Sequence, residues 1–154
     1  MKALLRFLEK RGVIRSLMLL MKRYLCFGLV GASGIAVDMT VLFVLADPGM
    51  LALNLSCSKA LAAETAIIGN FTLNELWTFR DLAVDRSWAA RVTRFGRFNV
   101  ICLAGIGLSV LLLNMQTGYF QMNMYLGNLF AILIVSFWNF GMNLKFGWNK
   151  KTNL

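Results

Sequence analysis

Histidine is absent from the 154 residues, and only 15% of them are charged, against about 25% in a soluble domain. Its absence counts against imidazole acid–base chemistry and against a Cys/His zinc site. Cysteine is sparse: Cys26, Cys57 and Cys102 show no paired spacing. A disulfide framework is therefore not expected, and the thiols read as small packing residues. No glycine-rich phosphate loop or nucleophile elbow occurs. The sequence thus implies no cofactor, no metal and no enzyme of its own. Acidic residues are also few, 7 against 16 Lys and Arg, for a net charge of +9. The single proline, Pro48, stands beside Gly49, where it breaks the chain.

What remains is apolar. Hydrophobic residues make up 58% of the chain, and the mean hydropathy is +0.66. Long apolar runs at this composition read as an integral membrane protein. The basic residues sit between those runs, so they point to membrane topology and anionic lipid rather than to nucleic acid.

Four spans are expected, at about Tyr24–Ala46, Leu53–Phe79, Phe98–Met115 and Met124–Trp148, each near the ~20 residues that a bilayer needs. Gln116, Thr117 and Gly118 mark the second outer turn. Residues 1–22 lack the cleavage site of a signal peptide. Leu4, Leu5, Leu8, Leu17, Leu20 and Met21 can form a broken apolar stripe there, against Lys2, Arg6, Lys10 and Arg15. That pattern predicts an amphipathic helix on the cytoplasmic face. Seven Lys and Arg precede the first span, five lie between the second and third, and three close the fourth. The remaining one is Lys59. The positive-inside rule then places both termini and the central loop in the cytoplasm.

The spans are written twice. Asn70-Phe71-Thr72-Leu73-Asn74-Glu75-Leu76-Trp77-Thr78-Phe79 returns as Asn139-Phe140-Gly141-Met142-Asn143-Leu144-Lys145-Phe146-Gly147-Trp148, at an offset of 69. Upstream, Arg23-Tyr24-x-x-Phe27 matches Arg94-Phe95-x-x-Phe98 at an offset of 71, which also pairs Gly34 with Gly105 and Leu42 with Leu113. The expected fold is an all-α membrane protein of four helices, two helix-hairpin repeats of parallel topology (about 23–81 and 94–150) within a 23–154 domain.

Asn70 and Asn74 share a helix face that Trp77 continues, and Asn139, Asn143 and Phe146 do the same in the second half. Asn70 lies ~13 Å from the cytoplasmic end of its helix. Two readings fit these amides. They glue helices together, or they form a polar lining, around a shared axial cavity, for sugar hydroxyls or phosphate. Asp38 and Glu64 stand ~21–23 Å above the cytoplasmic ends, where a carboxylate costs at least ~2.5–3.5 kcal/mol. Their counterparts in the second half are Ser109 and Leu133, so the halves differ. A structural pair with Lys59 is the plain reading of this charge; an intramembrane site at Glu64 is the functional one. Arg23 and Arg94, with Lys22 and Arg97, enter the first and third spans from the cytoplasm, as membrane anchors or as holders of a lipid phosphate. Trp77, Phe79 and Trp148 read as aromatic-belt residues. Gly28, Gly31 and Gly34, with Gly105 and Gly107, mark narrow faces for packing within the bundle or in a homo-oligomer.

Taken together, Phe27-Gly28-x-x-Gly31, Ala63-Glu64 and the two Asn strings resemble the GtrA family of small four-helix membrane proteins, over about Arg23 to Trp148. The resemblance implies a role in polyprenyl-linked sugar metabolism at the cell (inner) membrane. The substrate would be a polyprenyl-phosphate sugar, flipped across the bilayer, with Arg23, Arg94, Arg97, Asn70, Asn74, Asn139 and Asn143 at its headgroup. It equally implies a scaffold for a cytoplasmic-face polyprenyl glycosyltransferase. Many members carry a basic residue after the second Asn of each string, where this chain has Glu75 and Leu144. A small multidrug-type proton antiporter is a further alternative, opposed by the parallel repeat and the fixed charge bias.

Overall fold

The computed structural model describes residues 2–148, with side chains from residue 12 onward. The described residues form four α-helices: α1 (Lys2–Ala46), α2 (Leu55–Leu73), α3 (Trp88–Asn114) and α4 (Met124–Met142). No strand occurs among the described residues. The chain divides into two compact units, Met1–Thr78 and Phe79–Leu154.

In the first unit, α1 packs against α2. Helix α1 runs without a break through residues 22 and 23. The segment expected as a surface helix is continuous with the first span in one helix, α1. Between Val13 and Phe27 the sequence holds no glycine or proline to stop it. The side chains of Leu4, Leu5, Leu8, Lys2, Arg6, Lys10 and Arg11, like Lys150 and Lys151, lie outside the described residues.

Asp47 closes the turn after α1 by accepting the Gly49 N–H at 2.8 Å. Asn54 then caps α2, its Oδ1 accepting from Ser56 N at 3.0 Å and Cys57 N at 3.2 Å; such a cap answers backbone donors that a helix start leaves orphaned. The second unit repeats the device 69 residues on. Asn123 caps α4 from Tyr125 N at 3.0 Å and Leu126 N at 3.4 Å.

Along α2 and the turn that follows it, one line of buried positions recurs every fourth residue, Ser58, Ala62, Ala66, then Asn74 and Thr78, with half-buried Asn70 on it and buried Phe71 and Glu75 beside it. In the second unit the line is Gly127, Ala131, Asn143 and Gly147, with half-buried Val135 and Asn139. A four-residue period overshoots an α-helical turn by about 40° per step, so the line drifts around the helix. Both copies end in one π-helical turn, Asn74–Thr78 and Asn143–Gly147. This wider turn, with its i→i+5 bonds, returns Thr78 and Gly147 to the buried side.

The π turns overturn one expectation. Trp77 and Phe146 do not continue the Asn faces; they are 54% and 44% exposed. A third π turn, Met115–Tyr119, extends α3 outward, so Gln116, Thr117 and Gly118 are helical and the turn falls just after them. At its other end α3 starts about ten residues before the expected span. Ser87 caps it, its Oγ accepting from Ala90 N at 3.3 Å.

Among the described residues three stretches, Gly12–Ala46, Trp88–Tyr119 and Met124–Gly147, are long and apolar enough to cross a membrane. The fourth expected span, α2, falls short in hydropathy because Lys59, Glu64 and Asn70 interrupt it.

Candidate functional site

In each unit, the first Asn of the string meets a glycine of the preceding helix. A Cβ built on Gly34 would fall among the carboxamide atoms of Asn70. One built on Gly105 would lie 2.5 Å from Asn139 Oδ1. These two glycines are equivalent by the 71-residue offset, so the repeat preserves a glycine–amide contact. Gly28, Gly31 and Gly107 have open space where a Cβ would go. The expectation of one packing role for all of these glycines therefore divides: Gly34 and Gly105 admit an amide within their units, and the other three face outward.

The second Asn of each string is nearly inaccessible, Asn74 at 2% and Asn143 at 0%. Asn143 Nδ2 donates to Asn139 O at 2.9 Å, within its own helix. The Oδ1 atoms of Asn70, Asn74, Asn139 and Asn143 are buried without a hydrogen-bond partner, as is Thr78 Oγ1. A buried orphan acceptor costs on the order of 1–3 kcal/mol, so these amides do not bind the helices together through their oxygens.

Lys59 pairs with Asp38, Nζ to Oδ2 at 2.6 Å, linking α2 to α1. Glu64 is five residues beyond Lys59, about 140° around the helix, and cannot share that contact. It is exposed, on the side of α2 away from Ala62 and Ala66.

The three arginines differ from one another. Arg23 is half-buried. Arg94 is buried, and its Nη1 donates to Asp85 O at 2.8 Å, tying the central loop to α3. Arg97 is exposed and donates from Nη1 to Phe146 O at 3.2 Å, at the π turn. Lys145 stands 5.1 Å from the Phe146 ring centroid. Within the loop, Asp85 accepts the Ser87 N–H at 2.8 Å. That bond, then the Ser87 side chain and the charge of Arg94, hold its carboxyl below the usual value.

Phe79 and Trp148, expected in the aromatic belt, are core residues. Phe79 is 0% and Trp148 1% exposed, and their rings stack at 4.5 Å and 22° in the second unit. Phe140 lies 6.2 Å from Phe79, and Phe98 meets Trp148 edge-on at 6.1 Å. The strings close on bulky aromatics because these rings fill an interior, not because they sit among headgroups. Sequence reasoning also passed over Glu75 as a buried carboxylate; its place directly after a buried Asn was the available signal. Cys57, expected as a packing residue, is exposed, whereas Cys26 and Cys102 are half-buried.

Repeated helical hairpins, apolar outside and carrying a buried line of amides, define a multi-pass all-α membrane protein. The family model of the GtrA/DPMS transmembrane domain matches residues 26–148, and the chain belongs to that family. No curated protein matches it. Membership places the chain among membrane proteins of polyprenyl-phosphate sugar handling, a family associated with these lipids and with glycosyltransferases.

Proposed function

We propose that this protein moves a polyprenyl-phosphate-linked sugar across the cell (inner) membrane, with both termini in the cytoplasm, and catalyses no reaction itself. The observation that carries this reading is the pair of amide strings, one per unit, buried within their helices with their oxygens unsatisfied. Ordinary helix glue would have spent those atoms on a neighbouring helix. Arg97 is the exposed guanidinium suited to a lipid phosphate at the cytoplasmic end; Arg23 contributes from the first unit, and Arg94 mainly holds the loop. Glu64 supplies the ionisable group of the outer half, since Lys59 already occupies Asp38.

The test is transbilayer movement of short-chain polyprenyl-phosphate sugars in vesicles that hold this chain alone, with Glu64→Gln in parallel. Movement that Glu64→Gln stops supports a translocase with an intramembrane site. No movement of several candidate sugars by folded protein refutes it. The second reading is a membrane partner for a cytoplasmic-face glycosyltransferase. It draws on the central loop, where Val84 and Trp88 are 71% and 78% exposed beside exposed Arg86 and Arg91. Co-purification of an enzyme whose activity ignores Glu64→Gln would favour it.

A further inference from the structure

Between Arg23 and Arg80 the sequence holds a single basic residue, Lys59. Within the first unit it stands toward the opposite end of the α1–α2 hairpin from Arg23. From Arg23 it is ~22 Å along α1 to Asp38 and ~35 Å to the last residue, Ala46. Lys59 lies ~6 Å into α2 from Leu55. Its backbone is therefore ~29 Å from the level of Arg23, close to the ~30 Å of a hydrocarbon core. Its ammonium is deeper, because Nζ meets Asp38 Oδ2 at 2.6 Å. The stem thus runs ~6 Å back toward the middle of the hairpin. A lysine near the end of a membrane helix ordinarily extends the other way, toward the headgroups. Nor does the hairpin need this ion pair. The second unit packs α3 against α4 with Ser109 and Asn128 at the equivalent positions.

Even in the pair, Lys59 is 54% exposed. Asp38 takes one of its three ammonium donors, and among the described residues no second acceptor meets it. An ammonium with donors to spare, on a flexible stem, suits a phosphate. We infer that Lys59 receives the lipid phosphate at the end of the first unit opposite Arg23, and that Asp38 is its counter-ion while no phosphate is there. Released from Asp38, the stem extends toward the hairpin end and carries the ammonium to headgroup level. Carboxylate and phosphate compete for one cation, so the charge is neutralised in either state. This rests on the translocation reading and deepens it: a phosphate that leaves one leaflet needs a cation at the other. In the proposed orientation that other leaflet is the outer one.

The experiment uses the full chain in phosphatidylcholine vesicles and a small amine-acetylating reagent, with acetylation of Lys59 followed by peptide mass spectrometry. The probe is a short-chain prenyl phosphate; prenol, inorganic phosphate and phosphatidylglycerol are added in separate arms. Prenyl phosphate near saturation is expected to slow acetylation of Lys59 about tenfold, and the other three are expected to leave it unchanged. Asp38→Asn should be half-protected at about tenfold less prenyl phosphate, since the competing carboxylate is gone. Asp38→Ser, which installs the residue of the second unit, serves the same purpose if Asp38→Asn folds poorly. No protection by prenyl phosphate overturns the inference. Equal protection by inorganic phosphate or by phosphatidylglycerol also overturns it, showing a site for any free anion or any anionic lipid. An unchanged half-protecting concentration in a folded Asp38 variant removes the counter-ion role. Transbilayer movement of a prenyl phosphate sugar is measured in the same vesicles. Movement without protection overturns this inference and leaves translocation standing. Protection without movement refutes translocation, and with it the receiving role of Lys59.

Discussion

Removing the charge of Asp38 measures how deep the first unit holds its ion pair. Asp38 stands eight residues from the end of α1 at Ala46, and Lys59 four residues into α2 from Leu55. At 1.5 Å per residue these are ~12 Å and ~6 Å from those helix ends. The contact is 2.6 Å, with side chains 18% and 54% exposed. In water a pair this open would contribute ~0.2–1 kcal/mol. Within the apolar layer, a lone lysine costs ~2.5–3.5 kcal/mol on insertion scales. The Lys59 stem can carry its ammonium some way outward, which lowers that figure to about 2 kcal/mol. Asp38→Asn should therefore destabilise the protein by about 2 kcal/mol, and Asp38→Leu with Lys59→Leu together by close to zero, because replacing both members of a pair spares both desolvation costs. The second unit already carries the neutral version, Ser109 and Asn128 at the equivalent positions. A double-mutant cycle on reversible unfolding in bicelles gives the coupling energy. A coupling below about 1 kcal/mol would place the pair in water and refute the depth assigned to Asp38.

Two further predictions concern the glycine contacts and the central loop. Gly31→Ala should stabilise the protein by about 1 kcal/mol through helix propensity. Gly34→Ala should forfeit that gain, since its Cβ displaces the Asn70 carboxamide, an overpacking cost of ~1 kcal/mol. Asn70→Ala in the Gly34→Ala background should close the gap; equal unfolding midpoints for the two single variants would contradict the contact. In the loop, Asp85 has its carboxyl below the ordinary value of 3.8, so its bond to Ser87 stabilises the loop above that value and is lost as pH falls beneath it. Amide exchange at Ser87, corrected for intrinsic rate, should stay flat from neutral pH down to about 5 and rise only below about 4; a rise near neutrality would show that another group controls the loop.

The repeat was legible because it is a property of residue order, and equivalent positions acquired equivalent environments. Asn54 and Asn123 both cap helices, Ala62 and Ala131 are both fully buried, and Asn74 and Asn143 both open π turns. The helices themselves followed from apolar runs that leave the backbone no partner but itself. Other features were hidden for an identifiable reason. A helical period says which residues share a face, not what stands opposite that face. Gly28, Gly31 and Gly34 advance about 300° per step around α1, and nothing in their spacing says which one admits an amide. Lys59 has two carboxylates within reach of a one-dimensional argument, and the packing of α1 against α2 selects Asp38. The π turns redirected Trp77 and Phe146 outward, whereas the packing in the second unit took Phe79 and Trp148 into its interior.

By itself, then, the sequence determined the membrane class and the doubled hairpin, because composition and periodicity act locally along the chain. Only the tertiary structure decided that Asn70 and Asn139 would meet glycines and that their oxygens would find no donor. That outcome depends on which two helix faces are brought together, and it is a property of the packed pair.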